Sequence, residues 1–246
     1  MQILSEIIRT LPDGEVRDVR IGLHWTAVVV ETGGELCCGL SSTLSTPHGH
    51  DQGPDIPMAG QLEGRPGREL AEMALSPHPT QASLGMAAVN ALLPRHSQMW
   101  YEDNAEEVIA RQGQGKRVVL VGRFPFLPHL RGRVGELLVL EQNPGPGDLP
   151  AERAPEVLPG AEVVAITGMT LVNHTLEGLL GLCSPGAFVI VLGPSTPLTP
   201  LLFDHGVDIL SGSAVTALEP VLRTISQGGN FRQVHRAGVR LVNMQR

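Results

Sequence analysis

The chain has 246 residues, of which 42% are hydrophobic and 17% charged, and its formal net charge is −7. This composition can bury one or two sizeable cores and excludes global disorder. The 18 basic residues include a single lysine, Lys116, and form no basic stripe for a phosphate backbone. We therefore expect no nucleic-acid partner.

The sequence also argues against a membrane protein. No apolar run reaches the roughly 20 residues that span a bilayer. Residues 1–12 have the pattern of an amphipathic helix rather than a signal peptide. We expect a cytoplasmic protein without a membrane partner, and a homo-oligomer is left open.

The first half of the chain mixes helical and strand patterns. Apolar residues recur at helical spacing over residues 3–11, and EVRDVRIGLHWTAVVVET predicts one long strand or a hairpin. ELCCGLSST predicts another strand, and a loop of the length that is usually functional or mobile follows over residues 46–65. GRELAEMAL and TQASLGMAAVNALL then predict two helices. This half is expected to be α+β.

The second half is built from short apolar runs, several of which end in glycine: RVVLVG, ELLVLE, EVVAITG, FVIVLG and VDILSG. Such runs are typical of parallel strands covered on both faces. Helices are predicted after the third and fifth runs, whereas the first two crossovers are short and proline-rich. We predict an α/β fold in which an α+β domain, residues 1–108, precedes an open parallel sheet with irregular crossovers, residues 109–246.

Small and polar residues follow the predicted strands, at the edge where open parallel sheets bind ligands. Glycine lets a backbone approach a ligand closely, and N–H and hydroxyl groups at a helix start can bind an anion. A single turn of this kind is more often a helix cap. Because several such turns converge, we predict a ligand-binding crevice. Its candidate residues are Gly122, Arg123, Glu141, Thr167, Gly168, Thr170, Asn173, Thr175, Gly193, Ser195, Thr196 and Gly212.

Three of the polar residues near this edge have a specific chemical interpretation. Arg123 could neutralise an anionic group, and Glu141 could accept hydrogen bonds from a ribose-like diol, although both are also compatible with ordinary surface residues. His174, in the first turn of the helix after the third strand, could transfer a proton or simply be an exposed helix residue. GRFPFL is not the G-x-G-x-x-G fingerprint of dinucleotide-binding folds, so a nucleotide signal here is weak.

One loop offers metal ligands. PHGHDQGPD places imidazole and carboxylate donors at His48, His50 and Asp51, a combination suited to Zn²⁺ or other first-row ions. Its spacing matches no known finger or catalytic pattern, and solvated loop histidines are the commoner explanation. Cys37 and Cys38 would point to opposite faces of a strand, so they cannot chelate one ion together.

Several segments, taken in order, carry a resemblance to a known family: IGLHWTAVV and SLGMAAVNALL in the first half, then VGRFPFLPHL, ITGMTLVNHTLEGLL and LGPSTPLTPLLFDHGVDILSG. They resemble the putative heavy-metal-chelation family of uncharacterised prokaryotic proteins. The resemblance implies an N-terminal domain similar to the enolase N-terminal fold and a C-terminal Rossmann-like domain. It also implies a site at the turns around Thr170, Asn173, Ser195 and Thr196. Met169 stands where small hydroxyl residues are common in the family.

Two classes of function remain open from the sequence. The first is a binding protein that holds a metal, a metal chelate or a small anionic metabolite. The second is an enzyme that uses a nucleotide-like or pterin-like ligand at the same edge, with Glu141, Asn173 or His174 contributing. The cofactor, the identity of the ligand and any catalytic residue are unknown at this point.

Overall fold

The structure is a computed structural model that describes residues 1–45 and 54–246, and two sheets organise these residues. The first is a three-stranded antiparallel sheet in the order β1-β2-β3. The stretch predicted as one long strand or a hairpin is a hairpin, which turns where the Gly22 amide donates to the Trp25 carbonyl at 2.9 Å. The elements of this half are α1 (Gln2–Thr10), β1 (Glu15–Ile21), β2 (Trp25–Thr32), β3 (Glu35–Ser42), α2 (Gly67–Glu72), a 3-10 turn (Met73–Leu75) and α3 (Pro79–Leu92).

Helix α3 packs unusually close to its neighbours because its sequence is rich in small residues. A Cβ atom on Gly39 of β3 would lie 2.2 Å from the Ala87 carbonyl oxygen and from the Ala91 amide. A Cβ on Gly85 would lie 1.9 Å from the Ala74 amide. Glycine at these two positions therefore lets β3 and the 3-10 turn reach the helix backbone.

The second sheet has eight strands in the order β4-β11-β10-β9-β8-β5-β6-β7. The five predicted strands, β5, β6, β8, β9 and β10, are confirmed and are parallel to one another. Its elements are β4 (Trp100–Tyr101), α4 (Ala105–Gln112), β5 (Arg117–Val121), α5 (Leu127–Leu130), β6 (Glu136–Glu141), β7 (Leu149–Pro150), α6 (Ala154–Val157), β8 (Val163–Thr167), α7 (Met169–Val172), α8 (Leu176–Leu180), β9 (Phe188–Leu192), α9 (Leu201–Asp204), β10 (Ile209–Val215), α10 (Leu218–Ser226), α11 (Phe231–Gly238) and β11 (Val239–Gln245).

The strand order reverses next to β5. The chain passes from β5 to β6 on one side and then returns to form β8 on the other side of β5. Strands β9 and β10 continue outward from β8. The carboxyl ends of β5 and β8 are adjacent, but the helices that follow them pack on opposite faces of the sheet, which is the arrangement that opens a crevice in doubly wound sheets.

The predicted division after residue 108 falls inside helix α4. Strand β4, which precedes that division, pairs with β11 through Trp100 and Met244 and through Tyr101 and Asn243. Helix α4 buries Val108 and Ile109 in a cluster formed with β5. We propose instead that the two halves divide between α3 and β4.

A continuous hydrophobic core joins the two sheets. It contains side chains of α1, of α2, of α3 and of strands from both sheets. Among the helices of residues 1–45 and 54–246, none combines the length and hydropathy needed to cross a bilayer.

The contact at Gly39 leads to a stability prediction. Gly39→Ala places a methyl group against backbone atoms of α3 that cannot rotate away, so we expect a loss of about 1–3 kcal/mol in the free energy of unfolding. Gly186→Ala is the matched control, because a Cβ there meets nothing within 4 Å. Urea denaturation of the two variants measures the difference, and equal stabilities would contradict the close packing.

Candidate functional site

A crevice of about 240 Å³ opens at the carboxyl ends of β5, β6 and β8, where the strand order reverses. Its walls combine residues predicted from the sequence with others that the sequence did not single out. The predicted residues that line it are Gly122, Arg123, Glu141, Thr167, Thr170, Asn173 and Thr175. Met169, which the sequence placed in the same turn, also lines it, and the residues that sequence reasoning missed are Val121, Leu140, Gln142, Ala151 and Leu179.

Glycine is required at the floor of the crevice. Gly122, directly after β5, has a φ of 100°, a conformation that L side chains rarely adopt. A Cβ at this position would lie 2.9 Å from Cγ2 of Thr167, at the end of β8. The two strand ends therefore come together only because residue 122 has no side chain.

The turn after β8 forms the side wall. The Thr170 hydroxyl donates to the Thr167 carbonyl at 2.7 Å, and the Thr175 hydroxyl donates to Asn173 Oδ1, also at 2.7 Å. The N-cap residues of α7 and α8 make no side-chain cap hydrogen bond. However, the Met169 amide donates to the Thr167 hydroxyl at 3.4 Å and the Thr175 amide donates to Asn173 Oδ1 at 3.3 Å, so two of these side chains also bind the backbone at the helix starts. Asn173 and Thr175, which line the crevice, offer an amide donor and a hydroxyl to a ligand, whereas Thr170 is only 3% exposed.

His174 interrupts the single helix that the sequence predicted after β8. Its φ is 61°, the only positive φ of a non-glycine residue in the described part of the chain. Its Nε2 atom lies 2.7 Å from the carbonyl oxygen of Ala74, in the 3-10 turn before α3. His174 therefore ties the crevice turn to the N-terminal half, and it does not line the crevice.

The positive charge of the crevice is held in place by a buried carboxylate. Arg123 donates to Asp148 with nitrogen–oxygen distances of 2.9 and 3.0 Å, and the Gly145 amide donates to the same carboxylate. The Asp148 side chain is 0% exposed, whereas that of Arg123 is 49% exposed. The hydrogen bond from Arg123 holds the pKa of Asp148 below its ordinary value of 3.8. Sequence reasoning missed Asp148 because a lone acid in a glycine- and proline-rich loop gives no signal.

The remaining predicted residues lie outside the crevice, between the two sheets. The Ser195 hydroxyl accepts from the Ser42 amide at 2.9 Å, and the Ser195 carbonyl accepts from Asn90. A Cβ on Gly168 would lie 2.6 Å from Oγ1 of Thr196, and one on Gly212 would lie 2.9 Å from the Leu198 side chain. Gly193, with a φ of 117°, turns the chain from β9 into this interface. Ser195 therefore links the two halves, whereas Gly168 and Gly212 allow close packing within the second half.

The described residues do not fit a directly bound heavy metal. Soft metal ions prefer thiolate and imidazole ligands, whereas the crevice offers one carboxylate, hydroxyls, amides and one thioether. Burial raises the pKa of Cys38 to about 12 and that of Cys183 to about 11, so both remain thiols. Within residues 1–45 and 54–246, no group of three or more His, Cys, Asp and Glu side chains could hold a metal ion.

Two family profiles match the chain, and both are described as "Putative heavy-metal chelation". DUF364 matches residues 104–244, and DUF4213 matches residues 4–93. The chain therefore belongs to this heavy-metal-chelation family, and the resemblance seen in the sequence is confirmed. The two matches leave residues 94–103 between them, which supports a division between α3 and β4.

The relatives are uncharacterised or of unknown function, and the two with crystal structures share the fold of this chain. An uncharacterised protein of Methanocaldococcus jannaschii is 28% identical over 222 residues, which cover 85% of this chain and 82% of the relative. A DUF364 protein of unknown function from Desulfitobacterium hafniense has a crystal structure with a TM-score of 0.83 and 28% identity, and the match covers 100% of this chain and 97% of that chain. A DUF364 protein from Pyrococcus horikoshii, also of unknown function, gives 0.81 at 20% identity, with coverage of 100% and 98%, and supports the fold alone.

The strained turn at His174 leads to a second prediction. His174→Gly and His174→Ala both remove the contact with the Ala74 carbonyl, but only glycine adopts a φ of 61° without strain. We expect the glycine variant to be more stable than the alanine variant by about 1 kcal/mol. Chemical denaturation of the pair isolates the backbone contribution. An alanine variant as stable as the glycine variant would show that the turn does not keep this conformation.

Proposed function

We propose that the protein binds a small anionic organic metabolite in the crevice at the carboxyl ends of β5, β6 and β8. The observation that carries this proposal is the convergence of Gly122, Arg123 and the turn from Thr167 to Thr175 on one cavity at the point where the strand order reverses. Parallel α/β sheets bind their ligands at such a point.

The charges and walls of the crevice support an organic ligand with an acidic group. The half-exposed guanidinium of Arg123 can donate to an anionic group, while Asp148 binds its Nη2 atom. Apolar side chains of Leu140, Met169 and Leu179 supply a wall for carbon atoms or a ring. A metal chelate fits this site through its organic part, which would agree with the family description without requiring a protein ligand to the metal.

The second candidate function is an enzyme that uses a nucleotide-like or pterin-like ligand at the same site. The observation that favours it is Glu141, which lies at the end of β6 and lines the crevice beside Gly122. An acid at the end of the strand next to the glycine turn is the position that binds a ribose diol in nucleotide-binding folds.

Two substitutions test the site and distinguish these candidates. Among the described residues, Arg123 is the only cationic side chain that lines the crevice. Arg123→Gln removes it, so we expect the affinity for an anionic metabolite to fall about tenfold. Glu141→Gln removes a negative charge, so it should increase the affinity for a simple anion. The same change should lower the affinity for a ligand bound through a diol about tenfold. Native mass spectrometry of purified protein identifies a retained ligand, and calorimetry with that ligand gives the affinities.

The matched control is Glu136→Gln at the opposite end of β6, where Glu136 forms an exposed ion pair with Arg117. This variant should bind as tightly as the unmodified protein. Binding that neither Arg123→Gln nor Glu141→Gln changes would place the ligand elsewhere and contradict the proposal.

Metal binding by the loop that contains His48, His50 and Asp51 remains a separate proposal, because these residues lie outside the described residues. If this loop binds Zn²⁺, the double variant His48→Ala and His50→Ala should lose the zinc that the purified protein retains. The control is the pair His24→Ala and His129→Ala, two exposed histidines of the described residues. Elemental analysis measures the metal content, and equal zinc in both double variants would remove the loop from consideration.

A further inference from the structure

The crevice is lined by one side chain of each charge. Among the described residues, Arg123 is the only cation on its wall and Glu141 the only carboxylate. Arg123 follows β5 and Glu141 ends β6, and these strands are neighbours, with Val121 paired to Leu140. A ligand with a single charge would be attracted by one of the two side chains and repelled by the other. The wall therefore suits a ligand that carries both charges.

A buried acid keeps the two charges apart. Asp148 binds Nη2 of the half-exposed Arg123, so the Nε and Nη1 atoms of the same guanidinium keep N–H donors for a ligand. Within the part of the chain that the structure describes, Glu141 forms no ion pair, and its Oε1 atom accepts from the Gln142 amide at 2.9 Å. The Glu141 carboxylate, which is partly exposed, thus retains an oxygen that can accept from a cationic group.

Two apolar side chains complete the chemistry of the wall. Met169 and Leu179 line the crevice and are partly exposed, so they can contact the carbon atoms of a ligand. The thioether of methionine makes favourable contacts with aromatic rings. The volume of about 240 Å³ corresponds to roughly 16–24 water-sized atoms at about 10–15 Å³ each. Phenylalanine, with about 12 non-hydrogen atoms, fits within this volume, whereas a dinucleotide, with about 44, does not.

We propose that the crevice binds an α-amino acid with a large apolar side chain. This inference rests on the proposed function and names its ligand class, because the carboxylate of the amino acid is the acidic group that Arg123 binds. Arg123 donates to that carboxylate, and Glu141 accepts from the ammonium group. The apolar side chain packs against Met169 and Leu179.

A nucleoside monophosphate offers a second way to meet both charges, through its diol and its phosphate. Two observations favour the amino acid. A phosphate carries about two negative charges at neutral pH, whereas Arg123 already shares its positive charge with Asp148. Phosphates also bind at helix N-termini, and the helix that follows β5, α5, begins only at Leu127 and has 4 residues.

Three probes separate the contributions of the two charges. L-Phenylalanine carries both, 3-phenylpropionate lacks the ammonium group, and 2-phenylethylamine lacks the carboxylate. We expect calorimetry at neutral pH and constant ionic strength to show that phenylalanine binds at least about tenfold more tightly than either analogue, because each analogue loses a charge-assisted hydrogen bond. Adenosine monophosphate should bind more weakly than phenylalanine.

Two variants assign each charge to its partner. Arg123→Gln should lower the affinity for phenylalanine and for 3-phenylpropionate about tenfold without weakening 2-phenylethylamine. Glu141→Gln should lower the affinity for phenylalanine and for 2-phenylethylamine about tenfold without weakening 3-phenylpropionate. Glu136→Gln, at the opposite end of β6, is the matched control and should leave all three affinities unchanged.

The amino-acid assignment is overturned if phenylalanine does not bind, if neither Arg123→Gln nor Glu141→Gln weakens its binding, or if 3-phenylpropionate or adenosine monophosphate binds as tightly. Binding of 3-phenylpropionate that equals that of phenylalanine and depends on Arg123 would overturn this assignment while supporting the anion site of the proposed function. A ligand retained by the purified protein whose affinity neither variant changes would instead contradict the proposed function itself.

Discussion

The close approach of helix α3 to its neighbours is the constraint on which the rest of the structure depends. The helix touches β3 at Gly39, the 3-10 turn at Gly85, and the loop after β9 through Asn90. Nearly every residue of the helix is buried, so it has no solvent face and serves as the centre of a core shared by both sheets. The relative position of the two sheets is therefore set by backbone contacts, which tolerate little adjustment.

This packing determines which loops of the second sheet can meet a ligand. The loop after β9 is covered by α3 and β3, and its Ser195 and Thr196 are each 2% exposed. The turn after β8 is anchored through His174 but keeps Asn173 and Thr175 at the crevice. The same edge of the second sheet thus carries a buried interface at the loop after β9 and the open crevice at the turn after β8. The contact with the N-terminal half separates the two.

The parts of the fold that could be predicted from the sequence are those whose pattern is long enough to be periodic. The five central strands are continuous apolar runs and were predicted, whereas β4 and β7, at two residues each, carry no pattern. Strand β11 was also missed, because its exposed face alternates irregularly with buried residues. The break at His174 could not be predicted, since the residues around it have the apolar spacing of one helix.

The residues of the candidate site also fall into two groups, those that could be predicted from the sequence and those that could not. Gly122, Glu141 and Thr167 were brought together by a rule about the ends of adjacent parallel strands, which depends only on the strand assignments. Ser195 and Gly212 satisfy the same rule, but Ser195 is occupied by a contact with Ser42 of the other half, and Gly212 packs against Leu198 of the loop after β9. Asp148 orients Arg123 from a distant loop, and no local pattern relates the two residues.

The lengths of the outermost strands affect how the protein can meet other chains. Strands β4 and β7 close the two ends of the eight-stranded sheet, and each spans only two residues. A long, flat edge strand is a template for adding a further strand and hence for aggregation. Within the described residues, β4 pairs with β11 only at Asn243 and Met244, and β7 pairs with β6 only at Leu140 and Glu141. The short strands therefore leave most of the outer edges of β6 and β11 without a strand partner. Extension of this sheet by another chain would therefore have to start on β6 or β11, beside the two-residue strands.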